Sequence, residues 1–296
     1  MPDWGEANVK TYPAAEAAQK KQAIKEFAYK LLGAAIVLPV VVLILVEYVY
    51  PFLLSFISSL KLPEGGALTL ENYSYILRIY GQDILYTLFV SVASLIVVLT
   101  VAILIGGYLT LNENPFIEFM FKLPLFIPFV VVGHAMRTFL APKGILNSLL
   151  SLIGLINIEA PPDYAYGPIG TIIALSWKQI AFALLLVMSA FQSVDKSYLE
   201  AARNLGASKF RLIREMLLPL SFGSIAVSAV LIFTSFLQNF SVVMMMGSGS
   251  GARHIMVDIF QQINYLNNIN VANALGVVSY VFALGAAVIY LRKAAK

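Results

Sequence analysis

The chain has 296 residues, of which 59% are hydrophobic and only 12% charged, with a formal net charge of +4 and no cysteine. A soluble domain carries about 25% charged residues, so this composition excludes an ordinary soluble fold and points to a membrane protein. The missing cysteines exclude disulfides and thiolate metal sites, and the small net charge offers no concentrated patch for nucleic acid.

The tail over residues 1–31 contains "AAEAAQKKQAIKEFAYKLL", alanines alternating with lysines and ending in aromatics. That pattern suits an amphipathic helix lying on membrane lipid at the inner surface, or a solvated leader that only fixes orientation. The apolar run that follows is too long for a cleaved secretory signal, so it is expected to stay in the membrane.

A bilayer core of roughly 30 Å needs about 20 mainly apolar residues per helix. Six runs meet that length, at residues 32–56, 84–111, 116–140, 169–191, 217–246 and 271–291. A transmembrane barrel would instead show short segments of alternating polarity, whereas residues 90–105 are apolar on all sides. The expected fold class is therefore all-α, a polytopic protein with six transmembrane helices.

Lysine and arginine are enriched in short cytoplasmic loops. They gather in the tail (Lys10, Lys20, Lys21, Lys25, Lys30), after the fourth run (Lys196, Arg203, Lys209, Arg211, Arg214) and at the end (Arg292, Lys293, Lys296). Both termini and the charged segment in the middle are thus expected to face the cytoplasm.

Polar groups inside the runs are costly in lipid and mark candidate positions on a solute path. Glu47 sits beside Pro51 in the first run and suggests no role. His134 and Arg137 lie one turn apart in the third, where they can meet an anion or Arg137 can snorkel to the surface. Lys178 and Gln179 fall near the middle of the fourth, either lining a path or bonding two helices. The fifth run is about 30 residues long, too long for one straight span, and Gln238 and Asn239 interrupt it. A break is expected there, with Ser235, Gln238 and Asn239 facing a central cavity or tying helices together. The segment "KGILNSLLSLIGLINIEAPPDYAYGP" reads as an outer-surface helix followed by a rigid loop, either a docking surface or a structural cap.

Between the fourth and fifth runs stands "EAARNLGASKFRLIREMLLP", residues 200–219. Ser197 with Glu200 three positions on reads as a capping box, and Glu200 suits the positive end of a helix dipole. Gly206 can take the left-handed conformation that ends such a helix, residues 210–216 then form a second short helix, and Pro219 fits the first turn of the next. The expected shape is helix, turn, helix, a knob at the inner surface.

At these residues the sequence resembles the integral membrane permease subunits of binding-protein-dependent ABC importers. Their signature is Glu-Ala-Ala, three residues, Gly, nine residues, Ile, one residue, Leu-Pro. Glu200, Ala201, Ala202, Gly206, Leu218 and Pro219 match in register, with Met216 in place of isoleucine, a swap of similar apolar volume. The resemblance implies a permease core over residues 80–292, a first span over 32–57 outside it, and a coupling loop over 195–219. It also implies partners: separate ATPase subunits that receive the knob, a second permease subunit, identical or related, and an extracytoplasmic solute-binding protein. No Gly-x-x-x-x-Gly-Lys-Ser/Thr phosphate loop occurs, and "GSGSG" at 247–251 lacks the lysine, so no cofactor is expected and ATP is expected on the partner.

Sugar-specific members commonly read Asp-Gly-Ala after the alanines, whereas this chain reads "NLGAS". It looks more like members that carry polyamines, aminoalkylphosphonates, ferric iron or oxyanions, with sugar import as the alternative. An intramembrane serine protease is a reading of another class. It needs a serine and a late-helix histidine meeting in the membrane, but only His134 and His254 exist, and His254 reads as part of a polar loop.

Overall fold

A computed structural model describes residues 13–62, 67–247 and 251–294; the first twelve residues of the tail and most of the "GSGSG" run lie outside them. Every regular element among the described residues is helical. Four helical stretches are long and apolar enough to cross a bilayer unaided, and counting each of two bent pairs as one span gives six.

The first unit, residues 1–54, is dominated by α1 (Pro13–Ile44), which continues through a π-helical turn (Leu45–Val49) into α2 (Tyr50–Ser59). The helix runs without a break past residue 31, where the tail was expected to give way to the first span. Alanine, lysine, glutamate and glutamine are all strong helix formers and carry the helix straight through. The π-turn has a local cause. Pro51 has no N–H for the carbonyl four residues back and its ring crowds that carbonyl, so the turn ahead of it widens and Tyr50 N–H bonds to Leu45 O.

In the second unit the last turn of α2 is clamped to α3 (Glu71–Ile79), where Asn72 donates to Ser59 O at 2.9 Å and Lys61 O at 2.7 Å. Then follow α4 (Gly81–Leu111), α5 (Pro115–Lys122) with a 3-10 turn (Leu123–Phe126), α6 (Phe129–Leu140) and α7 (Ile145–Leu152). The third run was expected as one straight span but is bent by 104° at residues 127–128. Pro128 explains it, because proline forces the residue before it out of the helical region, and Ile127 is extended.

The hub of this unit is α8 (Pro168–Gln192), which packs against α4, α5, α6, α12 and α13. Its buried face includes the small residues Gly170, Ala174, Ala181, Ala183 and Ala190, which let neighbouring backbones come close without a water-driven force. Beyond it come α9 (Lys196–Asn204), α10 (Lys209–Leu212), a second π-turn (Ile213–Leu217), α11 (Leu218–Leu220) and α12 (Phe222–Leu237). The chain ends with α13 (Ser241–Met246), α14 (Ile255–Asn264) and α15 (Ile269–Ala294).

The fifth run breaks twice. A 79° bend at Ser221 precedes the expected interruption at Gln238 and Asn239. The second break lets α13 turn in and pack on α6. The contact is close at Gly133, where an added Cβ would sit 2.7 Å from Met245 Cβ and 3.1 Å from Val242 backbone atoms. The segment before the last span, expected as a polar loop around His254, is helical over Ile255–Asn264 with Ile255, Val257, Asp258 and Gln262 buried, so two of its polar residues face inward with its apolar ones.

Gly133→Leu should therefore overpack the α6–α13 seam and cost about 1–3 kcal/mol. Thermal unfolding of the purified chain measures it; an unchanged midpoint would mean this seam is not formed.

Candidate coupling site and solute path

The charged segment folds as two short helices joined by a tight turn, and each end has an identifiable cause. The residue capping α9 is Asp195, whose Oδ1 accepts the Ser197 N–H at 2.9 Å. This corrects the expected capping box: Ser197 is the second helical residue and supplies the donor, leaving Glu200 in the second turn. The same bond holds the Asp195 carboxyl below the usual carboxylate range.

The other end is a Schellman closure. Gly206 stands at φ +83°, its N–H reaching Arg203 O at 2.9 Å while Ala207 N–H reaches Ala202 O at 3.0 Å. Only glycine adopts that φ without strain, so the Gly206 of the motif is explained by backbone geometry.

The second helix starts on Ser208, whose Oγ accepts Arg211 N–H. Its inner face buries Leu212, Ile213 and Leu217. A Cβ at Gly107 of α4 would come within 2.7 Å of Ile213, so α4 and the knob touch at their narrowest point. Lys209 Nζ adds a bond to Asn112 Oδ1 at 2.6 Å, beyond the end of α4. Pro219 repeats the device seen at Pro51, with the π-turn before it and Leu218 N–H bonded to Ile213 O.

Inward-facing residues thus fix the knob, while its outer surface is open. Leu205 is 90% exposed, and Tyr198 and Phe210 are also exposed, three large apolar groups set among charged and small residues. Glu200, Ala201 and Pro219 are exposed, and Ala202 and Leu218 half-buried. Behind α9 lies a cavity of about 640 Å³ lined by Glu113, Glu118, Lys196, Glu200 and Arg203 among others. Leu205 escaped the sequence reading because an isolated leucine in a helical segment reads as core.

The intramembrane candidates separate. Lys178 is 6% exposed and donates to Pro124 O at 2.6 Å and Ile127 O at 2.7 Å, with its ammonium 4.6 Å from the Phe129 ring centre. It closes the carbonyl end of the broken third span, the helix-bonding alternative of the two expected for it. Gln179 donates to Ser235 Oγ and joins α8 to α12, the helix-bonding alternative. Asn239 is buried and its Oδ1 accepts Val242 N–H at 3.0 Å, which starts α13.

Gln238, unlike Lys178, Gln179 and Asn239, is exposed. It borders a cavity of about 370 Å³ with Met256, Ile259, Gly276, Ser279 and Tyr280. Arg137 donates to Tyr166 Oη at 3.0 Å and to Met245 O at 3.4 Å, closing the end of α13, while His134 stands exposed. The His254 ring is buried with Nδ1 accepting Met256 N–H, and among the described residues no serine hydroxyl is bonded to it as a protease would need.

Lys178→Met should strand the carbonyl of Ile127, leave Pro124 O with only the Ile127 N–H at 3.4 Å, and destabilise the chain by about 1–3 kcal/mol, seen as a lower unfolding midpoint. A variant as stable as the parent would return Lys178 to the list of path residues.

The spermidine/putrescine transport system permease protein PotB of Escherichia coli is 29% identical over 214 residues, 67% of this chain and 72% of that one. The trehalose/maltose transport system permease protein MalF of Thermococcus litoralis is 25% identical over 278 residues, 88% of this chain and 92% of that one. A solved bacterial ABC transporter involved in the import of the acidic polysaccharide alginate has the same fold, with a TM-score of 0.73 at 22% identity over 92% of this chain and 99% of its own. The family model of the binding-protein-dependent transport system inner membrane component matches residues 114–293, well over half of the sequence, and the chain belongs to that family, the permease subunits of ABC importers.

Proposed function

We propose that this permease subunit couples to its ATPase through the knob formed by Glu200, Ala201, Ala202, Gly206, Leu218 and Pro219, and that Leu205 is the anchor of that contact. As a permease it carries no ATPase of its own; hydrolysis belongs to a separate subunit that binds the ATP. The observation that carries the reading is the exposed apolar trio Tyr198, Leu205 and Phe210 on a helix pair whose buried apolar contacts, Leu212, Ile213 and Leu217, lie on its inner face. Apolar anchors at the centre of a contact supply most of its free energy. The lysine and arginine distribution supports placing this end, and both termini, on the cytoplasmic side.

On the opposite side an extracytoplasmic solute-binding protein delivers the solute, and a second permease subunit completes the pore; one of the solved relatives is described in complex with a periplasmic protein bound to an alginate pentasaccharide. The solute is small and polar or charged, of the polyamine, aminoalkylphosphonate, ferric iron or oxyanion type. "NLGAS" after the alanines and the similarity to the spermidine/putrescine permease support it. Sugar import is the second reading, favoured by the nearly full-length match to the trehalose/maltose permease. Gln238 is the path residue, since the other amides and Lys178 are occupied by protein groups.

Leu205→Asp should weaken co-purification of the ATPase at least tenfold, about 1.4 kcal/mol, with membrane insertion and unfolding midpoint unchanged. Full retention of the ATPase would remove Leu205 from the contact. Single cysteines at Ser197 and Tyr265 should react with an impermeant thiol reagent from opposite sides of the membrane, and reaction of both from one side would overturn the orientation. Competition of labelled spermidine uptake by the whole transporter against trehalose decides the solute class.

A further inference from the structure

The end of the bundle remote from the knob is closed by a different set of bonds. Helix α4 is about 46 Å long at 1.5 Å per residue, and its head lies far from the Lys209–Asn112 contact at its foot. There the segment over residues 253–262 is tied down at three points. Arg253 N–H donates to Asp83 Oδ1 at 2.6 Å, Ile255 N–H to Thr87 Oγ1 at 2.8 Å, and Gln262 Nε2 to Tyr80 Oη.

Beneath these bonds Asp258 is 0% exposed, and neither of its carboxylate oxygens has a hydrogen-bond partner. The one cation near it is Arg253, whose Nε stands 4.0 Å away and whose Nη1 is committed to Gln261 Oε1 at 2.7 Å. Asp83 adds a second negative charge from α4, Tyr80 faces it from the turn ahead of α4, and His254 is buried in the adjoining loop. Between Ile269 and Tyr290, α15 brings no acid, base or histidine. A carboxylate in such a place is tolerated as the neutral acid far better than as the anion.

We propose that residues 253–262 form a pH-gated latch, held on the head of α4 while Asp258 is protonated and loosened when it ionises.

Burial, then repulsion from Asp83, pushes the Asp258 carboxyl up to about 7, with Arg253 opposing. His254 is pushed down to about 4 by burial and stays neutral across the same range, so it does not operate the latch. With the latch open, Asp258 meets water and regains the ordinary value near 3.9. Between about pH 4 and 7 the closed form therefore holds one more proton than the open form. Each unit of rising pH favours opening about tenfold, and above about 7 the effect levels off. Met256 and Ile259 of the same helix border the Gln238 cavity, which ties the latch to the path. That link rests on the permease reading, whereas the titration does not.

The test is hydrogen exchange on the full chain in lipid nanodiscs, without ATPase or solute, following the 253–262 backbone amides from pH 5 to 8 after correction for intrinsic rates. The parent should open about tenfold more per pH unit and then plateau near 7, while Asp258→Asn stays flat. Identical profiles for the two would overturn the latch. If Asp258→Asn does not insert, Arg253→Gln keeps the backbone bond to Asp83 but removes the opposing cation. Its plateau should then move to higher pH, and an unmoved plateau would overturn the proposal equally.

Discussion

The ammonium of Lys178, lodged among the carbonyls of Pro124 and Ile127, is the interaction on which the architecture turns. In hydrocarbon a helix cannot stop without a partner for its last carbonyls, since water is absent, and an isolated lysine there is itself unfavourable by about 2.5–3.5 kcal/mol. Each problem is the other's solution. With the α5 turn closed, the chain can leave at 104° into α6. The face of α6 carrying Gly133 then receives α13, whose own carbonyl end is closed by Arg137.

The same requirement explains the smaller irregularities. Asn239 supplies an acceptor where α13 begins, and both π-turns stand directly ahead of a proline, at Pro51 and Pro219. In each case the residue before the proline bonds five back instead of four. The helix passes the missing N–H without stopping, and the local cost is a wider turn. At Pro219 the device has a second effect, since the wide turn lies between the knob and the 79° bend at Ser221 and carries the chain from one to the other.

The sequence made the membrane class legible because a 59% hydrophobic chain has few alternatives, and it made the knob legible because Gly206, Leu218 and Pro219 have backbone reasons for their spacing. The break at Gln238 and Asn239 was visible as two amides in an overlong run. The break at Pro128 was hidden, since apolar counting treats proline as one more lipid-compatible residue and the cost falls on the Ile127 backbone. The cap was misplaced by two residues because Ser197 and Asp195 are both good cap formers, and only the backbone decides which stands outside the helix. Roles for Lys178, Gln179 and Ser235 could not be divided between path and scaffold from residue type alone. What distinguishes them is the partner, which lies about 50 or more positions away in the chain. Helix α14 was masked by its polar residues, which in an aqueous setting would mark a loop but here are the buried ones.

Leu205 has a consequence for the life of the subunit in the cell. A side chain 90% exposed, flanked by exposed Tyr198 and Phe210, is tolerable only while another surface covers it. Under the proposed contact, a copy made without its ATPase would leave these three side chains uncovered, so the subunit's solubility at this end would depend on assembly.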